Sequence, residues 1–338
     1  MAPPVYMMLS LTDQCNLYCK MCGCPHTAAK YRGQELSERD IKGIIDQIAL
    51  WNKDAEVVFS GGEPFLRSDI LELIEYACAR GLRISVNTNG TLIDSSVAYY
   101  LVRAPLYALT VSLDADNLRA NDGIRGADVY ERALRGLEYV RKAKERRGSW
   151  RPLVNLNVTI MKENSRSLND MVKLARFCGA QNIFFQPVVT DNTDVQNNNY
   201  LRMNDESISD LLAALDRIKS EAYRKKIHVQ VPEPELLRAY FSMRQGQTAP
   251  RQWPCFVGYT RMSISTHGRV YSCAESFGNV RTQSLKEIWY SPRARQLRHK
   301  YKKCRKFCLQ TCYACPNSES IRNIIRAFLR DMVAPCQK

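Results

Sequence analysis

Val5-Tyr6-Met7-Met8-Leu9-Ser10-Leu11-Thr12-Asp13-Gln14-Cys15-Asn16-Leu17-Tyr18-Cys19-Lys20-Met21-Cys22 joins an apolar, strand-like run to a loop holding three cysteines. Residues 5–11 read as a strand, and the cysteines follow at once on its C-terminal side. Three thiolates on one short loop can ligate three irons of a cubane cluster. The fourth iron then stays open, as the open position of a catalytic metal site does. The same spacing also suits a structural zinc ion, with Cys24 or His26 as a further ligand.

Working outward, strands and helices alternate. Strand patterns fall at 5–11, 56–60, 83–87, 107–113, 153–160 and 183–188, and helical patterns at 37–51, 68–80, 95–103, 129–147, 165–178 and 205–226. The first helix opens on a Ser cap followed by Glu, and its apolar positions Ile41, Ile44, Ile45 and Ile48 keep the helical period. Six βα units imply an α/β fold with a parallel sheet and helices outside. Right-handed crossovers curl such a chain into an open, partial (β/α)6 barrel, a TIM-like fold, with functional residues at the C-terminal strand ends. We expect this barrel over 1–230, a Pro-rich connector over 231–254, and a small cysteine-rich domain over 255–338. The polar run 191–199 is expected to lie over the barrel mouth.

Other motifs fall at the same strand ends. Ser60-Gly61-Gly62-Glu63-Pro64 follows the second strand, Ser85-Val86-Asn87-Thr88-Asn89-Gly90 ends the third, and Ser112-Leu113-Asp114 ends the fourth, with Asn121-Asp122-Gly123-Ile124-Arg125-Gly126 just beyond. With the three-cysteine loop, these segments resemble the signature of the radical SAM superfamily. The resemblance implies a [4Fe–4S] cluster on Cys15, Cys19 and Cys22, whose open iron takes the amino and carboxylate groups of S-adenosylmethionine (SAM). It further implies that Gly61, Gly62, Glu63 and Pro64 meet the SAM amino group, the glycines by close approach and Glu63 by charge. Asn87, Ser112, Asp114 and Arg125 then face the rest of the cofactor. The implied chemistry is reductive cleavage of SAM to a 5′-deoxyadenosyl radical that abstracts hydrogen from a substrate carbon.

Thirteen cysteines in a chain of 338 residues point to metal or redox use. Cys78 and Cys178 stand alone in helical patterns and read as small buried apolar residues. Seven others, Cys255, Cys273, Cys304, Cys308, Cys312, Cys315 and Cys336, gather in the last quarter. Cys255 and Gly268-Arg269-Val270-Tyr271-Ser272-Cys273 frame a hairpin, and the segment resembles the SPASM/twitch extension. That resemblance implies one or two auxiliary [4Fe–4S] clusters, although the spacing from Cys304 to Cys315 departs from the usual pattern. A zinc ribbon is the other use of such a set.

The net charge is +15, and residues 291–338 hold twelve Lys and Arg against two acids. Nucleic acid, an anionic membrane surface, an acidic substrate, or compensation of a thiolate-held cluster would each use that surplus. No 18-residue apolar run and no signal peptide is present, so the expectation is a cytoplasmic protein without membrane contact.

Auxiliary clusters in this family accompany oxidation, epimerisation and cross-linking. Two substrates are therefore expected: a small hydroxylated molecule, sugar-like and anionic in charge, or a ribosomally made peptide. The cysteine loop begins fifteen residues in, leaving no room ahead of it for a leader-binding domain, which favours the small molecule. A flavodoxin or ferredoxin is the expected electron donor. Cys24 is a candidate hydrogen donor, and Tyr18 is expected to pack against the cluster and adenine. A non-catalytic RNA-binding role would use Tyr290, Tyr301, Phe307 and Tyr313 among the basic residues, but leaves the strand-end motifs without purpose.

Overall fold

The computed structural model describes residues 1–23, 33–188, 203–242, 255 and 257–304. Its strands are β1 (Tyr6–Thr12), β2 (Glu56–Gly61), β3 (Arg83–Thr88), β4 (Ala108–Ser112), β5 (Leu153–Ile160), β6 (Asn182–Pro187), β7 (His228–Gln230), β8 (Arg261–Ile264), β9 (Arg269–Tyr271) and β10 (Ser276–Asn279). They form one sheet in the order β10-β9-β8-β1-β2-β3-β4-β5-β6-β7. Neighbours from β8 to β7 are parallel, and β8, β9 and β10 are antiparallel.

All six expected strands are present. Two more extend the parallel run: β7 beside β6, and β8 beside β1. At three and four residues each, they are too short for side-chain alternation to announce. The hairpin of the cysteine-rich segment is thus continuous with the barrel sheet. Part of the expected connector is a helix, Pro234–Ser242.

Helices cover one face of the sheet. Among them are α1 (Glu38–Asn52), α2 (Ile70–Ala79), α3 (Ser95–Arg103), α4 (Leu118–Arg125) and α5 (Val129–Arg147). The helix α1 starts where Ser37 and Asp40 cap each other reciprocally, and it buries Ile41, Ile44, Ile45 and Ile48. Those side chains join Met7, Leu9, Leu11, Val57, Phe59, Ile84, Val86, Leu109 and Val111 in a single core. Each fully buried aliphatic side chain there contributes about 1.5–3 kcal/mol. The intervening strand residues point the other way, and this second face is largely polar: Ser10, Ser60, Asn87, Thr110, Ser112 and Asn157 are all partly exposed on it.

Candidate active site

At the C-terminal ends of β1 and β2, backbone meets backbone. Gly62 donates its N–H to Thr12 O (2.7 Å), and Glu63 donates to Gln14 O (2.8 Å). A Cβ on Gly62 would lie 2.0 Å from Gln14 O, and one on Gly61 2.3 Å from Thr12 O. Only glycine lets β2 press this closely on the segment that launches the cysteine loop. The close approach expected of these glycines is therefore made, within the protein, to the loop itself.

Glu63 is fully buried. Its Oε1 accepts from Thr88 Oγ1 (2.8 Å) and Phe65 N (3.2 Å), and its Oε2 accepts from Asn89 N (2.8 Å). Burial raises its pKa, and the donors from Asn89, Thr88 and Phe65 oppose that rise. Both carboxylate oxygens are committed to protein donors, so as placed this charge ties β2 to the end of β3. Asn89 continues the tie: its Nδ2 donates to Asn16 Oδ1 (2.9 Å), and Asn16 Nδ2 donates to Thr91 Oγ1 (2.9 Å). Asn16, Asn89 and Thr91 were not singled out by the sequence, although two of them lie inside quoted motifs and the third directly follows one.

A second anchor comes from β4. Asp114 is fully buried and its Oδ1 accepts from Thr159 N (2.7 Å), while its Oδ2 stands 2.7 Å from Arg125 Nε. Asn121 Oδ1 accepts from Asp114 N (3.0 Å). Arg125, the last residue of α4, is itself buried and places Nη1 4.0 Å from Cys19 Sγ. Burial disfavours its charge, but Asp114 and Cys19 outweigh this and raise its pKa. Lys20 N donates to Ile124 O (3.0 Å), so the cysteine loop lies against the end of α4.

Cys15, Cys19 and Cys22 are free thiols, each within electrostatic range of the other two. Burial pushes Cys19 up to about 11, partly offset by Arg125, and burial also raises Cys15. Without metal, Cys15 and Cys19 are neutral thiols at neutral pH, so metal binding there must release their protons. Among the described residues no three Cys, His, Asp or Glu side chains close on one ion. Thiolates on a cubane each hold a separate iron. Three thiols from one loop with a buried guanidinium beside one of them suit that anionic group.

Asn87 and Ser112 lie at neighbouring strand ends, partly exposed and, among the described residues, without hydrogen bonds to their side chains. Tyr18 is 81% exposed. Cys24 and His26 lie outside the described residues, as does the run 191–199. In the C-terminal segment, Cys255 is buried, Cys273 exposed and Cys304 intermediate. Burial and then Cys273 raise the pKa of Tyr301, and Cys304 N donates to the Tyr301 backbone O (3.0 Å). Cys308, Cys312, Cys315 and Cys336 lie outside the described residues. Cys178 is buried and Cys78 packs against the core.

A family model described as the radical SAM superfamily matches residues 9–175, and one described as the SPASM iron–sulfur cluster-binding domain matches 255–316. The chain belongs to the radical SAM superfamily and carries a SPASM domain. It is an enzyme that binds [4Fe–4S] clusters and SAM. An AdoMet-dependent heme synthase of Methanosarcina barkeri is 29% identical over 307 residues, 85% of this chain and 82% of that one. The mycofactocin maturase MftC of Mycolicibacterium smegmatis is 32% identical over 177 residues, 52% of this chain and 43% of that one. Among solved structures, anSMEcpe with bound AdoMet and a peptide gives a TM-score of 0.67 at 18% identity, covering 97% of this chain and 98% of its own. SuiB of Streptococcus suis with bound precursor peptide SuiA gives 0.66 at 15% identity, covering 87% and 66%. These two show the shared fold. No helix among the described residues is long and apolar enough to cross a membrane.

Proposed function

We propose that Cys15, Cys19 and Cys22 hold the cluster at which SAM binds, and that this radical SAM radical-forming site abstracts hydrogen from a substrate carbon. The observation that carries this reading is the clamp on the cysteine loop: Gly62 and Glu63 from one side, Asn89 from above β3, and Arg125 beside Cys19. When bound, the cluster and SAM supply one-electron cleavage chemistry and hence hydrogen abstraction. The chain's own part is to fix the loop, to neutralise thiolate charge with Arg125, and to offer polar groups to the cofactor. Gly61, Gly62, Glu63 and Pro64 border the amino end of SAM through their backbone, and Asn87 and Ser112 present free side chains toward it. Asp114 acts through Arg125. Cys255, Cys273 and Cys304, with Cys308, Cys312, Cys315 and Cys336, hold one or two auxiliary clusters. A flavodoxin or ferredoxin supplies the electron, in a reducing cytoplasm.

The reaction is an oxidation, epimerisation or cross-link. A peptide substrate is supported by the names of MftC and of the peptide-bound SuiB and anSMEcpe structures. A small hydroxylated substrate is the second reading, supported by the hydroxyls on the open face of the sheet. Release of 5′-deoxyadenosine from SAM by the reduced enzyme tests the common part. Wild type is expected to release it, and Cys22→Ala is expected not to; equal release from both overturns the assignment.

A further inference from the structure

The polar face of the sheet carries an ordered row. The register places Ser60 level with Ser10, Asn87 level with Thr110, Thr110 level with Asn155, and Asn155 level with Asn182. Phe59 pairs with Val86, so Asn87 is also level with Ser60. Asn155 Nδ2 donates to Thr110 Oγ1 (3.1 Å), and Asn182 Nδ2 donates to Asn155 Oδ1 (2.6 Å). One row nearer the cysteine loop, Gln186 Nε2 donates to Asn157 Oδ1 (3.2 Å), beside Ser112. The row consists of neutral amides and hydroxyls.

It ends on a cation. Leu9 pairs with Ile264, and Ile264 with Val270, so Arg269 sits level with Ser10, one residue further on, across from Ser265. Arg269 O accepts from Ser265 N (2.9 Å). Val270 is fully buried in the core, which turns Arg269 and Tyr271 to the same face as Ser263 and Met8. The Arg269 guanidinium stacks on the Tyr271 ring at 5.0 Å, and its buried Nε has no hydrogen-bond partner among the described residues. Asp13, a carboxylate whose charge reaches Tyr271, accepts from Thr266 Oγ1 through Oδ2 at 2.7 Å. Among the described strand residues, the other cations on this face are at its opposite rim, where Arg83 reaches Asp54 O and Arg261 stacks on Tyr6.

We infer that Arg269 anchors a carboxylate of the substrate, whose uncharged remainder lies along the amide and hydroxyl row. The inference rests on the radical SAM site proposed above, because that site adjoins the row and Asn87 stands where the two meet. A buried N–H without a partner loses free energy that an incoming anion restores, and guanidinium pairs with carboxylate bidentately. A peptide bearing a carboxylate and a hydroxylated small acid share this chemistry.

Calorimetric titration of the SAM-loaded holoenzyme distinguishes them. The probes are N-acetyl-glycyl-glycine, its carboxamide, and gluconate. At least one acid is expected to bind about tenfold or more tightly than the neutral carboxamide, a preference lost in Arg269→Gln and partly kept in Arg269→Lys. Tighter binding of the peptide acid assigns a peptide, and tighter binding of gluconate a hydroxylated acid. Equal binding of acids and carboxamide, no binding of either acid, or an unchanged preference in Arg269→Gln overturns the inference. Iron content and SAM binding are expected to be the same in Arg269→Gln as in wild type. Their loss in the Cys15, Cys19, Cys22 variant tests the underlying site separately.

Discussion

Arg125 Nε stands 2.7 Å from Asp114 Oδ2, and the same guanidinium reaches toward Cys19 Sγ, so one buried ion pair joins the end of β4 to the cysteine loop. Removing one member leaves the other as an uncompensated buried charge. Arg125→Met is therefore expected to lower stability of the metal-free protein by about 3–5 kcal/mol, measured by urea unfolding. Adding Asp114→Asn should recover part of that loss. A single-variant loss below about 1 kcal/mol, the size of an exposed pair, would show that the ion pair is not buried as described.

Gly62 tests the contact between β2 and the loop. With a Cβ placed 2.0 Å from Gln14 O, Gly62→Ala must move backbone rather than a side chain. The expected result is a folded protein, destabilised by about 1–3 kcal/mol, that retains less iron at the loop. Circular dichroism and iron analysis of the same preparation check both halves. Full iron retention with unchanged stability would mean that the two segments are not in contact.

Asn16 tests the tie to β3. Asn16→Ala removes the acceptor of Asn89 Nδ2 and the donor to Thr91, and is expected to cost about 1–2 kcal/mol. Cluster loss on exposure to air should speed up as the loop loosens. The half-life of cluster absorbance, compared with wild type, reads this directly; an unchanged half-life contradicts a holding role.

Asp40 gives a pH prediction away from the cysteines. The Ser37 side chain, then the Ser37 backbone N–H, hold its pKa below the ordinary Asp value. A carboxylate whose folded pKa is depressed stabilises the fold fully above its unfolded pKa, about 4. The contribution is lost as pH falls through the lower folded value. Asp40→Asn should therefore show a shallower loss of stability below about pH 4 than wild type. Urea midpoints across pH 2–6 check it, and parallel curves would remove Asp40 from the acid response.

The sequence showed best what is local. The six longer strands, the capped first helix and the cysteine loop each carry their pattern within one stretch of chain. The strands β7 and β8 did not, because three or four residues give too little alternation and their edges are set by pairing to distant strands. The ties Asn16–Thr91 and Asp13–Thr266 join residues 75 and 253 positions apart, and no periodicity encodes them. Glu63 was legible as a motif residue, while its hydrogen bonds to Thr88, Asn89 and Phe65 became visible only in the fold.

The most direct measurement is iron and labile sulfide per chain after anaerobic reconstitution, in wild type and in the Cys15→Ala, Cys19→Ala, Cys22→Ala triple variant. The triple variant should lose about four irons and keep the remainder in the C-terminal segment, near four for one auxiliary cluster or near eight for two. Zinc in place of iron, or an iron content unchanged by the three substitutions, would contradict the assignment of the cysteine loop.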